Sequence, residues 1–222
     1  MKRFFYILFS LSAILILSPI LILTILILRF SGEGEIFFLQ KRVGLDGNRF
    51  NIIKFATMLK NSSEIGTRTI TIKDDPRILP FGKFLRKSKI NELPQLFNIV
   101  SGDMSIIGPR PLTTETFNHY SIIVRNIITK EKPGLSGLGS IVFRREEEIL
   151  NKSNINTELH QQLIEYKGSL EMWYIENNNL FIYFFLILLT ILVIFSPKYS
   201  SLIRILNNLP SPSKELKKVL QH

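Results

Sequence analysis

From Phe4 to Leu28 the chain carries no charged residue, and only Ser10, Ser12, Ser18, Pro19 and Thr24 interrupt its apolar character. Such a run exceeds the ~20 residues an α-helix needs to cross a bilayer. Any fold must therefore place this segment in lipid or bury it against protein. A secretory signal would use Lys2 and Arg3 as its charged head, but the apolar run is too long and no small-residue cleavage site follows it. A plain spanning helix is the other ordinary reading. Pro19 argues against it, because proline lacks the N–H and clashes with the carbonyl four residues back, which bends a helix. The Ser18 hydroxyl can satisfy a carbonyl freed there. Lys2 and Arg3 precede the run and Arg29, Lys41 and Arg42 follow it, whereas spanning helices usually bias Lys and Arg to one side. A bent hairpin that enters and leaves the same leaflet meets both observations and is preferred to a kinked span.

The remainder of the 222 residues suffices for one medium domain. The formal charge of +10 suits nucleic acid, anionic headgroups or phosphorylated substrates, and it equally suits a merely solvated basic surface. Cysteine is absent, which excludes disulfides, a thiol nucleophile and cysteine-based metal sites. His119, His160 and His222 are scattered, which argues against a histidine metal site. No recognised nucleic-acid-binding motif occurs, so no nucleic-acid partner is expected.

Residues 35–150 read as a soluble domain. Ile36 to Leu39 is a short apolar run consistent with a strand or a membrane-edge contact, Phe50 to Ile53 reads as a strand, and Gly44 to Asn48 is a turn signal between them. Residues 61–77 are polar and read as a loop. Leu93, Leu96, Phe97 and Val100 keep helical spacing, which predicts a short helix from Glu92 to Ser101, with Asn91 as N-cap, Pro94 in the first turn and Gly102 as C-terminal stop. Arg86, Lys87 and Lys89 lie upstream and Arg110 downstream. A helix N-terminus among such cations can bind phosphate. An ordinary amphipathic helix with solvated lysines fits the same residues.

These residues resemble the bacterial sugar transferases, the polyprenyl-phosphate phosphoglycosyl transferases with a single membrane segment. The resemblance runs from Lys2 to about residue 178. It rests on Ser18-Pro19, Phe38 to Gly44, Gly47, Phe50, Lys54-Phe55, Thr57-Met58, Asp75-Pro76-Arg77 and Gly82 to Lys87. Its most specific parts are Glu92-Leu93-Pro94-Gln95-Leu96, Gly102-Asp103-Met104-Ser105 and Gly108-Pro109-Arg110-Pro111-Leu112, followed by Pro133-Gly134-Leu135-Ser136-Gly137. The resemblance implies a mixed α/β fold, mainly helical. A re-entrant N-terminal helix-hairpin would join a small cytoplasmic catalytic domain with short strands. It also implies transfer of a sugar-1-phosphate from a UDP-sugar to polyprenyl (undecaprenyl) phosphate with release of UMP, early in a surface glycan pathway. The expected cofactor is a divalent ion, usually Mg2+. The expected location is the bacterial inner membrane with the domain on the cytoplasmic face, and homo-oligomerisation stays open.

One departure bears on mechanism. The family begins its short helix with an Asp-Glu pair whose aspartate attacks the sugar-linked phosphate. This chain has Asn91-Glu92. An amide is a poor nucleophile because its lone pair is delocalised. Three readings remain: direct attack by the lipid phosphate with Glu92 and a metal holding the diphosphate, Glu92 as nucleophile, or a catalytically silent scaffold of a glycan assembly complex. Asn91 and Glu92 are accordingly the candidate catalytic residues. Arg86, Arg110, Arg42 and Lys54 are the candidate phosphate ligands, and Glu92 and Asp103 the candidate metal carboxylates, with a turn cap the alternative for Asp103. Two further departures are Ala56, where the family usually has arginine, and the stretch from Leu138 to Glu148 in place of a Trp/Gln/Asn-rich segment. Within it, Glu146 to Glu148 read as a solvated acidic face.

Leu159, Leu163, Tyr166, Leu170, Trp173 and Tyr174 predict a helix packed on the domain or the membrane surface. Leu180 to Phe195 is uncharged and short for a span, and predicts a membrane-associated helix with a second span as the alternative. The organisation expected is a membrane segment over 1–30, a transferase domain over 31–178, a membrane-associated helix over 179–200 and a polar, mobile tail over 201–222.

Overall fold

The computed structural model describes residues 2–62, 75–144 and 157–220. The acidic run Glu146 to Glu148 lies outside them, as does most of the polar stretch expected to be a loop. The described residues are mostly helical, with two small two-stranded sheets. They divide into two compact units. The first comprises Met1–Lys41 and Asn51–Met104, the second Arg42–Phe50 and Ser105–His222.

In the first unit, α1 runs from Lys2 to Phe30 as one helix of 29 residues with Pro19 inside it. Pro19 cannot donate to the carbonyl of Leu15, and the Ser18 hydroxyl donates to that carbonyl at 2.7 Å instead. Among the described residues α1 is the one helix long and apolar enough to cross a membrane. A narrow stripe of it is buried. Leu21 and Leu28 form a core with Phe55 and Leu85, and Ile14, Ile25, Ile36, Phe81, Ile90 and Leu93 pack around it. Most of the remaining apolar surface is exposed, Leu15 and Ile16 by about three quarters. At the other end of α1 the Arg3 guanidinium lies 3.1 Å from where a Cβ on Gly102 would stand.

β1 (Phe37–Val43) and β2 (Arg49–Phe55) pair through a tight connection in which Gly44 N–H donates to Asn48 O at 2.7 Å. Both strands and the turn agree with the sequence reading. α2 (Pro80–Ser88) follows, ended by Lys89 in the left-handed region at φ 62°. Ile90–Glu92 then forms a 3-10 turn, and α3 covers only Gln95–Ser101. This corrects the expected helix from Glu92 capped by Asn91. Pro94 has no N–H to donate to Ile90, and the chain closes its first turns with shorter bonds, Leu93 N–H to Ile90 O and Leu96 N–H to Leu93 O. The buried face is also not the predicted one. Gln95, Leu96, Asn98 and Ile99 are buried while Phe97 is exposed. Asn98 explains the difference. Its amide donates to Asn51 O at 2.8 Å and accepts from Ile53 N–H at 2.9 Å, tying α3 to β2 through a polar side chain that an apolar pattern cannot reveal. The end of the stretch expected to be a loop is also fixed. Arg77 and Asp75 form a buried ion pair at 2.6 Å, and Arg77 also donates to Ser62 O.

In the second unit, β3 (Ser105–Ile107) and β4 (Gly134–Ser136) pair in parallel, with Ser105 opposite Gly134 and Ile107 opposite Ser136. Between them lie α4 (Thr114–Asn118) and α5 (Ile122–Ile128), each capped by a hydroxyl, Thr113 and Ser121. α6 (Leu138–Val142) follows, then α7 (Thr157–Asn177), α8 (Leu180–Phe195) and α9 (Lys214–Leu220). α7 is a core helix: Leu163, Ile164, Leu170, Trp173 and Tyr174 are buried. α8 is two-faced, with Leu186, Leu189 and Val193 inside the unit and Leu180, Phe181, Leu188, Ile191 and Phe195 exposed. The stretch expected to be a mobile polar tail contains α9, whose Leu216 is fully buried. Ser213 caps α9 and also donates to Gln162.

The backbones around β3 and β4 approach too closely for side chains. A Cβ on Gly134 would stand 2.1 Å from Gly108 N, and one on Gly137 would stand 2.2 Å from Gly108 O. The motifs Gly108–Leu112 and Pro133–Gly137, separate in sequence, are therefore one interlocked structure. Behind it sits Glu171 of α7, only 6% exposed. Its Oε1 accepts from Arg110 N–H at 3.3 Å, and its Oε2 has no hydrogen-bond partner among the described residues. Burial pushes its carboxyl up to about 7, opposed by the Arg110 N–H and by the charges of Arg110 and Lys167.

Two outcomes follow from this packing. Gly134→Ala forces a methyl onto three backbone atoms, Gly108 N and O and Ser136 O, that cannot yield, and is expected to cost about 3 kcal/mol. Gly47→Ala meets no atom within 4 Å but holds φ at 76°, and is expected to cost about 1 kcal/mol. Thermal unfolding of the two variants in detergent checks the difference, and equal losses would contradict the interlock. The second outcome concerns pH. The folded state holds the Glu171 proton more tightly than the unfolded chain, so its cost grows as pH rises from 4.5 to about 7 and is complete above that. Glu171→Gln is therefore expected to raise stability by about 2 kcal/mol more at pH 8 than at pH 5. A pH-independent change in melting temperature would show that this carboxyl does not titrate with a raised pKa.

Candidate active site

The candidate residues fall in both units. Asn91, Glu92, Arg86, Lys54 and Asp103 belong to the first, Arg42 and Arg110 to the second.

In the first unit, the geometry around Asn91 and Glu92 is set by their neighbours. Ile90 and Leu93, on either side, pack against the Leu21–Leu28–Phe55–Leu85 core, so apolar packing anchors the turn at both ends. Lys89 at positive φ turns the chain from α2 into it. Asn91 is 8% exposed, and its Oδ1 has no hydrogen-bond partner among the described residues. It makes no cap bond. The role expected of it as N-cap is therefore not observed, and the phosphate-binding helix end expected here is replaced by a 3-10 turn. Glu92 is half-buried on the same turn.

Arg86 lies on the last turn of α2, half-buried, with Nη1 3.9 Å from Met58 Sδ. Lys54 is half-buried on β2. Asp103 is exposed, and its Oδ2 accepts from Ser101 Oγ at 2.7 Å and from Asn98 Nδ2 at 3.5 Å. Its observed work is to hold the turn after Gly102, the alternative the sequence left open. No cluster of three or more His, Asp or Glu side chains able to hold a metal occurs among the described residues. Magnesium commonly uses one or two carboxylates together with substrate phosphates.

In the second unit, Arg110 projects an exposed side chain from a firmly held backbone. Pro109 O accepts from Gly134 N–H at 2.8 Å, Pro111 O accepts from Arg42 Nη1 at 3.1 Å, and Arg110 N–H donates to Glu171. Arg42, read as a phosphate ligand, is thus engaged in bracing this loop. Arg110, Pro109, Gly44, Thr129 and Glu131 border a shallow, open hollow. Glu171 escaped the sequence reading. It sits in a helical pattern beside Trp173 and Tyr174, and only the three-dimensional placement shows that it reaches the Gly108–Pro111 loop.

The chain matches the model of the bacterial sugar transferases over residues 1–197. It is 35% identical over 159 residues to the exopolysaccharide production protein ExoY of Sinorhizobium fredii, covering 65% of this chain and 70% of that protein. It is 36% identical over 146 residues to the UDP-N-acetylgalactosamine-undecaprenyl-phosphate N-acetylgalactosaminephosphotransferase of Aeromonas hydrophila, covering 64% of this chain and 34% of that one. A UDP-glucose:undecaprenyl-phosphate glucose-1-phosphate transferase of Xanthomonas campestris is 36% identical over 131 residues, or 58% of this chain and 27% of its own length. With the match reaching from the apolar helix through α8, the chain belongs to the bacterial sugar transferase family.

Proposed function

We propose that this chain transfers a sugar-1-phosphate from a UDP-sugar to undecaprenyl phosphate at the surface of the bacterial inner membrane, releasing UMP. The observation that carries the reading is that the residues flanking Asn91 and Glu92, Ile90 and Leu93, pack against the same apolar cluster to which the long apolar helix contributes Leu21 and Leu28. Chemistry that joins a water-soluble nucleotide sugar to a lipid phosphate needs its polar groups fixed at the lipid boundary, and this packing supplies the attachment. Relatives whose names give UDP-sugars as donors and undecaprenyl phosphate as acceptor support the substrate classes.

α1 is proposed to enter and leave the cytoplasmic leaflet, with both units on the cytoplasmic side. A straight helix of 29 residues would extend about 43 Å, well beyond the ~30 Å hydrocarbon layer. Its two ends also lie against the same unit, Arg3 by Gly102 and Leu28 by Phe55 and Leu85. The Ser18 bond to Leu15 O gives the proline break an internal partner. The exposed face of α8 is proposed to rest in the same interface.

In the proposed reaction the lipid phosphate attacks the sugar-bearing phosphorus directly. The new P–O bond forms as the bond to the bridging oxygen breaks, and UMP leaves with that oxygen. In the first unit Arg86 and Lys54 are the proposed ligands of the diphosphate, and in the second unit Arg110 is a proposed phosphate ligand in its own right. Glu92 would hold a divalent ion together with diphosphate oxygens, and such an ion supplies charge neutralisation. The Asn91 amide offers N–H donors to the phosphoryl group and no nucleophile.

The test is UMP release by the full chain in lipid nanodiscs, given undecaprenyl phosphate and a panel of UDP-sugars. UMP from at least one donor is expected. Glu92→Gln is expected to lower that rate at least about 100-fold. A folded protein that releases no UMP from any donor is instead the non-catalytic scaffold of a glycan assembly complex. A second outcome separates the mechanisms. Without lipid acceptor, donor labelled in the sugar phosphate should leave no label on the wild-type protein, whereas Asn91→Asp should become labelled. Label bound to the wild type rules out direct attack and points to Glu92 as nucleophile.

A further inference from the structure

Pro109-Arg110-Pro111 has one peculiarity of composition. Neither proline carries an N–H, so the N–H of Arg110 is the only backbone donor in the tripeptide. That single donor is bonded to Glu171 Oε1 at 3.3 Å. The carboxyl that receives it is costly to keep. It is 6% exposed and its other oxygen has no hydrogen-bond partner among the described residues. A buried carbonyl or carboxyl oxygen left unpaired costs stability. Room for it has also been cleared, since a Cβ on Gly139 would stand 2.5 Å from Oε1. A leucine or methionine would fill this space without that cost, but it could not accept a hydrogen bond. The arrangement therefore favours the accepting oxygen over packing.

We propose that Glu171 is the positioning residue for Arg110: its buried carboxyl holds the Arg110 N–H from within and thereby fixes the direction in which the guanidinium reaches the diphosphate of the nucleotide sugar. This rests on the reading of Arg110 as a phosphate ligand given above. Two other bonds hold the loop's carbonyls, from Gly134 N–H to Pro109 O and from Arg42 to Pro111 O. Neither acts on the residue that bears the guanidinium. Of these bonds, the one with Glu171 alone is made to Arg110 itself, at its backbone N–H, while the side chain is exposed.

The test uses the full chain in lipid nanodiscs with UDP as the binding probe, and UMP release is run in parallel. Glu171→Ala is expected to weaken UDP binding about tenfold. Glu171→Gln is expected to restore most of that loss, because its amide oxygen still accepts from Arg110. Adding Glu171→Ala to Arg110→Ala should weaken binding by no more than about twofold beyond Arg110→Ala alone, since a residue that acts through another loses its effect when the other is gone. Independent, multiplying losses in the double variant overturn the inference, as does unchanged affinity in a folded Glu171→Ala. Should Glu171→Ala not fold, Glu171→Asp takes its place. It keeps the carboxyl and withdraws it by one methylene, and the same non-additivity with Arg110→Ala is required of it. A wild type that neither binds UDP nor releases UMP removes the functional reading and this inference together. UDP binding that is indifferent to every change at position 171 removes this inference alone.

Discussion

The apolar cluster in which Leu21 and Leu28 of α1 meet Phe55 and Leu85, with Ile90 and Leu93 packed against it, is the interaction on which the first unit depends. α1 is too apolar to stand in water, and its narrow buried stripe is the only part the unit covers. By bracketing Asn91 and Glu92 with two residues that pack against the cluster this stripe joins, the chain ties a polar turn to an apolar core shared with the helix. Hydrophobic burial is non-directional, so it cannot by itself orient the turn. Orientation comes from Lys89 at positive φ on one side and Pro94 on the other, which together force a 3-10 segment where a regular helix would start.

The second unit solves a different problem. It must present an arginine on a loop that contains two prolines and therefore few hydrogen bonds of its own. The loop is held from outside itself, by Gly134, Arg42 and Glu171. A buried carboxyl whose ionisation is resisted by its surroundings is tolerated here because an acceptor is needed at one point only. Neutral or charged, Glu171 accepts the same N–H, so the bond survives the pH range in which the carboxyl titrates.

Much of this was legible in the sequence, and for identifiable reasons. The apolar run from Phe4 to Leu28, the strands on either side of Gly44–Asn48, and the helices Thr157–Asn177 and Leu180–Phe195 all carry strong hydrophobic patterns, and all appear. The local failures occur where polar groups or proline decide the outcome. The start of α3 was misplaced because Pro94 favours shorter-range bonds than an α-helix makes. Its buried face was misjudged because Asn98 is held inside by two backbone partners rather than by apolarity. For Arg42, a candidate phosphate ligand, the pattern near the motif gives no sign of the bond its Nη1 makes to Pro111 O. Glu171 gave no signal at all, since its partner lies 61 positions away in the chain. The tail was read as mobile on its polarity, yet one leucine, Leu216, with a serine cap was enough to seat α9.

The seam where Gly108, Gly134 and Gly137 meet has an evolutionary corollary. Backbone touches backbone there, so selection has no side chain to adjust and almost no substitution to accept. Variation is accommodated instead where side chains border the adjoining hollow, at positions such as Phe117, Thr129 and Glu131, which can change without pressing backbone on backbone at the seam.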